Sequence, residues 1–163
     1  MNILVSYMGR RGGGAEYAYE MTKGLIENNQ SVYAVISAQV DNLELWKQLP
    51  LKKLIMISTS DQYKGFFSGT VRFCFHDIFS IKKILQGVKI DILYVPMSHP
   101  WSTLTRYFLS YKHSVGTLHD PVIHPGSPFI IKLFLWIESL KPYDSLVILS
   151  KTFLEYTKKK YNK

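Results

Sequence analysis

Apolar residues in this chain fall into short unbroken runs, separated by stretches where they recur every three or four positions. Residues 2–7 form the first such run and predict a strand. Ala15, Ala18, Met21 and Leu25 then fall near helical spacing, so residues 15–28 predict a helix that ends at Asn28-Asn29. Residues 31–37 predict a second strand, 42–48 a short helix and 53–57 a third strand. The segment 58–69 is polar and contains glycine, which reads as a loop. A helix follows over 70–86, with Ile78, Ile81 and Leu85 on one side, and 91–95 is a short strand stopped by Pro96. A helix over 102–111 and a strand over 113–118 come next. Residues 119–126 are a loop rich in proline and histidine. Ser127-Pro128 supplies an N-cap and a first-turn proline for a helix from 128 to 141, which is apolar on nearly every side and stops before Pro142. Residues 145–149 read as the last strand, and Ser150 caps a lysine-rich helix that runs to residue 163.

Strands that alternate with helices imply an α/β domain: a doubly wound, mostly parallel, Rossmann-like sheet with helices on both faces. Such sheets bind ligands beyond the carboxyl ends of their strands. Those ends are the turns at 8–14, 37–41, 58–69, 96–101, 119–127 and 150–152, where functional residues are expected.

Composition narrows the picture. The chain has 163 residues, 47% hydrophobic and 14% aromatic, which suits one globular domain with a real core. Cys74 is its single cysteine, so neither a disulfide framework nor a multi-cysteine metal site is available. Its setting, Phe73-Cys74-Phe75, reads as buried filler. No His/Asp/Glu cluster has metal-ligand spacing, so no metal is expected. The chain opens directly on a strand, so no signal peptide is read, and its longest apolar run, 129–137, is interrupted by Lys132 and too short to span a bilayer. A cytoplasmic location is expected. The formal net charge of +8 favours anionic partners, but no nucleic-acid recognition motif accompanies it, and no nucleic-acid partner is expected. The densest basic run, Lys158-Lys159-Lys160, reads as a solvated helix face, with a membrane-surface role as the alternative.

The chemistry concentrates in the first turn, Met8-Gly9-Arg10-Arg11-Gly12-Gly13-Gly14, which leads from a strand into a helix. That geometry exposes backbone N–H groups and a helix N-terminus to an anion. A dinucleotide site wants G-x-G-x-x-G and an acidic residue after the second strand, whereas this strand ends in Ser37-Ala38. A P-loop wants Gly-Lys-Ser/Thr, whereas Gly14 is followed by Ala15-Glu16. A tight turn with no ligand is the purely structural alternative.

Three segments together resemble the first domain of family 4 GT-B glycosyltransferases. Gly12-Gly13-Gly14-Ala15-Glu16, with Lys23-Gly24-Leu25 and Ser31-Val32, is similar to that family's opening strand, G-G-A-E run and helix ending in a small "GL" step. Gly116-Thr117-Leu118-His119-Asp120 resembles its "T-x-H-D" segment. Tyr143 to Lys151 resembles its "A-D-x-V-I-x-L-S" strand. Their order and spacing match across essentially the whole chain.

The resemblance implies a single GT-B half over residues 1–163, the acceptor-side domain, without the C-terminal donor-binding domain. The function it implies is to bind the acceptor while a sugar moves from a nucleotide-sugar to a glycan or lipid-linked acceptor, as in polysaccharide biosynthesis. No cofactor is implied, the nucleotide-sugar being a co-substrate held mainly by the other half. Without that half the chain is expected to be inactive, so its status as an enzyme stays open. A non-catalytic acceptor- or membrane-binding module and another Rossmann-like nucleotide-binding protein remain as alternatives. In the implied site, backbone amides of Gly12, Gly13 and Gly14 face the donor diphosphate, and Arg10 and Arg11 pair with an acidic or phosphorylated acceptor. His119, placed as the family's histidine is, is the catalytic candidate. His99 and Trp101 line the acceptor side, while Asp120 serves the loop backbone and His124 shares the loop of His119. The implied partners are a donor-binding domain or subunit, the acceptor, and a membrane surface where the chain would sit peripherally on the inner face. Phe66, Phe67, Phe73, Phe75 and Phe79, with Lys64 and Arg72, would suit such a surface, and packing of these aromatics into the core is the alternative.

Overall fold

The structure is a computed structural model describing residues 1–59, 63–119 and 141–161, together with Leu133, Trp136, Ile137, Ser139 and Leu140, which are helical. Its strands are β1 (Asn2–Tyr7), β2 (Ser31–Ser37), β3 (Lys53–Ile57), β4 (Ile92–Val95), β5 (His113–Leu118) and β6 (Ser145–Ile148). They form one sheet in the order β3-β2-β1-β4-β5-β6, with every neighbouring pair parallel. The expected doubly wound α/β fold is what is found. The chain builds outward from β1 to β3, then crosses back to lay β4 against β1. That reversal opens a crevice at the carboxyl ends of β1 and β4, where open α/β sheets bind ligands.

Alternation along the strands divides the core into two layers. Ile3, Val5 and Tyr7 of β1, with Val32, Ala34 and Ile36 of β2, pack under α1 (Gly13–Glu27) and α2 (Leu43–Gln48), where Ala15, Ala18 and Trp46 complete the layer. Leu4, Val35, Ile55, Ile57 and Leu93 point the other way, against α3 (Tyr63–Arg72), α4 (Ile78–Ile84) and α5 (Pro100–Phe108). Because both faces are covered, the strands read as continuous apolar runs and not as alternating ones.

The largest departure from expectation lies between β3 and β4. The segment 58–69 was expected to be loop, but α3 begins at Tyr63 and passes through a π-helical turn, Phe73–Asp77, directly into α4. Gly65 and Gly69 weaken the local helical signal, yet tertiary packing overrides it: the indole of Trp101 lies against Gly69, and a Cβ there would stand 3.0 Å from the ring. Phe66 and Phe73 stack on that indole at centroid distances of 6.1 and 5.1 Å. The aromatics of this segment therefore divide. Phe73 is buried and Phe66 packs against the core, while Phe67, Phe75 and Phe79 are exposed. Cys74, read as buried filler, is half-buried in the π-turn, and burial pushes its thiol up from its ordinary value.

Helix α5 starts two residues earlier than its periodicity suggested, because His99 caps it and Pro100 occupies its first turn. After β6, Ser150 caps a 3-10 turn, Lys151–Phe153, that leads into α6 (Leu154–Tyr161); its Oγ accepts from the Thr152 N–H at 3.3 Å. The proline- and histidine-rich loop, with Asp120, His124 and Ser127-Pro128, lies outside the described residues, as does most of the helix expected over 128–141. Among the described residues, no helix is long and apolar enough to cross a membrane.

Candidate functional site at the carboxyl rim

Three turns meet at the crevice: residues 8–12 after β1, residues 96–99 after β4, and His119 after β5. The first is held by glycine for three separate reasons. Gly12 sits at φ 77, ψ −165, a conformation essentially closed to residues with a Cβ. Gly9 lies on the Tyr7 ring, where a Cβ would come within 2.6 Å of Cζ. At Gly14 a Cβ would come within 2.6 Å of the Met97 sulfur, so this glycine lets the β4 turn close on the start of α1. Gly12 and Gly13 are exposed, and nothing stands within 4 Å of a Cβ at either. The N-terminus of the fifteen-residue α1 thus opens on free space, with its dipole and first N–H groups facing outward.

The arginines separate. Arg11 is exposed, whereas Arg10 is half-buried and its carbonyl accepts from the Asp41 N–H at 2.9 Å, joining the first turn to the one after β2. Asp41 acts on Tyr7 as well: burial first, and this carboxylate second, push the phenol up to about 12. Tyr7 therefore stays protonated at any working pH.

His99 is a built position. Its Nδ1 accepts from the Trp101 N–H at 3.2 Å, which requires the ring to be neutral at that nitrogen and leaves the proton on Nε2. Burial, then the charge of Arg10, lowers its pKa to about 4. His99 is thus an uncharged N–H donor beside the glycine turn. Trp101, expected to line the acceptor side, is instead 1% exposed. Its Nε1 donates to Thr70 Oγ1 at 2.9 Å, and its ring stands edge-on to His99. It belongs to the core beneath α3 and supports His99 from behind.

His119 joins two of the turns and α1. Its Nε2 lies 3.0 Å from the Pro96 carbonyl, to which only an N–H can donate, so the neutral ring presents Nδ1 as an acceptor. The ring packs edge-on against Tyr17 of α1 at 5.0 Å. Behind it lies a hydroxyl cluster that the sequence did not signal. Tyr94 Oη is 3.0 Å from Thr117 Oγ1 and donates to Tyr17 Oη at 3.3 Å, and Tyr17 and Thr117 are themselves 3.3 Å apart. Burial holds the Tyr94 phenol above its ordinary range. The three residues come from different elements, and only the parallel register of β4 and β5 over α1 gathers them.

A second unforeseen cluster closes the turns after β2 and β3. Ser37 Oγ and Thr59 Oγ1 are 2.7 Å apart, and Gln39 Oε1 accepts from the Thr59 N–H at 2.7 Å. These groups satisfy one another and fix that end of the rim. Among the described residues, no group of three or more His, Cys, Asp or Glu is placed to hold a metal ion.

No family model matches the chain, and no curated protein matches it. Among solved structures, a glycosyltransferase from Rickettsia africae ESF-5 aligns over 99% of this chain and 49% of its own, with 18% identity and a TM-score of 0.48. The chain spans about half the length of that structure.

Proposed function

We propose that the chain supplies the acceptor-binding side of a glycosyl transfer, in the manner of a GT-B half whose nucleotide-sugar is held by a separate donor-binding part. One observation carries this reading. Two of the three segments that resemble family 4 glycosyltransferases, the Gly12–Gly14 turn and the strand ending at His119, converge on one rim, where Tyr17 and Pro96 tie His119 to the glycine turn. The sequence places both segments at carboxyl ends of strands, and the contacts of Tyr17 and Pro96 with His119 that join them belong to the folded chain.

The amides at the start of α1 face the donor's diphosphate and meet its charge. Gly12 and Gly13 leave room for that approach. Arg11, exposed beside them, pairs with an anionic group of the acceptor. His99 offers its Nε2 proton to an acceptor oxygen, and His119 offers Nδ1 as an acceptor near the reacting carbon. Trp101 takes no part in contact and holds His99 in place.

Backbone-amide NMR of the isotope-labelled chain, titrated with nucleoside-diphosphate sugars and then with oligosaccharides, tests the reading. Shifts confined to Gly12–Gly14, His99 and His119 are expected, stronger with the oligosaccharides. Shifts centred elsewhere, or none with either class, overturn it.

A further inference from the structure

One surface of the molecule has no role in that site. The rod formed by α3, the π-turn and α4 shows two opposite sides. Its inner side buries Phe73, Asp77, Ile78 and Ile81. Its outer side carries Phe67, Val71, Phe75 and Phe79, exposed at 78%, 45%, 77% and 61%. Isolated surface aromatics need no explanation, but four large apolar side chains in file on one helix do.

The π-turn is what puts them in file. In an unbroken α-helix of about 3.6 residues per turn, each four-residue step drifts about 40° around the axis, so four such residues spread over about 120°. A wider i→i+5 turn advances less per residue and cancels most of that drift where it occurs. The π-turn, Phe73–Asp77, spans the middle of the stripe, so Phe75 and Phe79 stay on the side set by Phe67 and Val71. The stripe runs about 18 Å along the rod at 1.5 Å per residue. π-turns are rare and recur at functional places.

The charges around the stripe are of one sign. Lys82 and Lys83 are exposed at its end, and Lys82 Nζ lies 5.9 Å from the Phe79 ring centroid. Asp77 is the acidic residue among those described on this rod, and it is turned inward. Arg72 Nε donates to it at 3.2 Å, and His76 Nδ1 lies 3.0 Å from its other oxygen. The outer face therefore presents aromatic rings flanked by cations and shows no exposed carboxylate among the described residues. That pattern suits a water–lipid boundary, where rings enter the headgroup layer and lysines reach anionic phosphates.

We propose that the Phe67–Val71–Phe75–Phe79 stripe docks the protein, with the rod lying flat, on a lipid surface rich in anionic headgroups. The docked rod is the one whose inner aromatics clasp Trp101, so the same surface fixes how the crevice stands above the lipid. The proposal does not depend on the sugar-transfer reading.

Vesicle co-sedimentation of the full chain tests it. Vesicles of phosphatidylcholine with phosphatidylglycerol should pull the protein down, those of phosphatidylcholine alone should not, and binding should fall as salt rises. The combined variant Phe67→Ser, Phe75→Ser, Phe79→Ser changes exposed side chains only, and its circular dichroism and melting checks that the fold persists. It should bind more than about tenfold more weakly. The variant Lys82→Gln, Lys83→Gln should bind about thirtyfold more weakly, from about 1 kcal/mol for each cation near the surface. Failure to bind the anionic vesicles overturns the proposal, as does equal binding to neutral ones. It is also overturned if the serine variant binds lipid as the parent does while converting an oligomer to a monomer in sedimentation velocity, which would make the stripe a contact between copies of the chain.

Discussion

At the amino rim of the sheet, polar side chains are spent on closing the structure, while at the carboxyl rim several are held ready and left open. Asp144 accepts from both the backbone N–H and the hydroxyl of Ser114 at 2.6 Å, tying β6 to β5. Asp91 accepts from the Asn2 N–H at 2.9 Å and from Lys112 Nζ at 2.6 Å, joining β1 and β4 to the start of β5. Nearby, the buried Arg106 stacks 3.6 Å over the Tyr143 ring and donates to the Lys141 carbonyl. At the other rim, among the described residues, the glycine turn exposes amides, His99 carries its proton on Nε2, and His119 reaches the Pro96 carbonyl through its Nε2. Parallel strands explain the difference. Each of the five connections between these parallel strands leaves the sheet at its carboxyl rim and returns at its amino rim, so helix N-termini gather at the carboxyl rim and make it the anion-facing one.

The largest effect is expected at Gly116, whose missing Cβ would fall 2.7 Å from the Tyr143 ring with Arg106 stacked behind it. Gly116→Ala should lose about 3 kcal/mol in denaturant unfolding, because neither the ring nor the guanidinium has room to retreat. Its ligand-induced shifts at the carboxyl rim should survive under folding conditions. Loss of those shifts in the folded variant would break the division between the rims.

His99 should make stability pH-dependent from the open rim. Its folded pKa of about 4 lies below the ordinary histidine value of 6.5, so the unfolded chain binds the proton more readily. Its contribution is complete above pH 6.5 and is lost as the pH falls towards 4, by about 2–3 kcal/mol. His99→Asn keeps a capping acceptor and removes the titration, so its stability should change less over that range. Equal pH profiles for the two proteins would remove His99 from the account.

Gly12→Ala should cost about 2 kcal/mol, the strain of placing a Cβ at φ 77, ψ −165. Unlike Gly116→Ala, it should also weaken anion binding. His119→Ala should cost less than about 1.5 kcal/mol in stability, for one hydrogen bond to Pro96, yet weaken oligosaccharide binding about tenfold. Asp91→Asn should be the smallest. Lys112 and the Asn2 N–H hold the Asp91 carboxyl below its usual range, so its contribution is present at neutral pH and fades as acid protonates it. A comparison of melting curves at neutral and acid pH should show the variant converging on the parent. An amino-rim variant that alters binding more than Gly12→Ala or His119→Ala would overturn the contrast.

The strands were legible because a sheet buried on both faces writes itself as apolar runs, and all six lie where those runs predicted to within a residue at either end. The sixth, 145–149, closes one residue short as Ser145–Ile148. The glycine turn and His119 were legible because they follow strands directly. Trp101 was misleading. Its position after β4 suggested a lining residue, but a side chain at the first turn of a helix can point either way, and Gly69 and Thr70 draw it inward. The start of α3 was hidden because Gly65 and Gly69 lower helical propensity, and nothing local reveals the indole that rewards them.

Sequence by itself determined the order of elements, the parallel doubly wound class and the rim where function gathers, since each follows from local periodicity and from the polarity of strand–helix–strand units. Tertiary structure alone decided which side chains share a neighbourhood: Tyr17 with Tyr94 and Thr117, His99 with Arg10, Trp101 between Phe66 and Phe73. It also decided which phenylalanines face water. Those outcomes depend on crossovers that join residues far apart in the chain and on a π-turn that shifts one helical face, and neither leaves a periodic trace in the sequence.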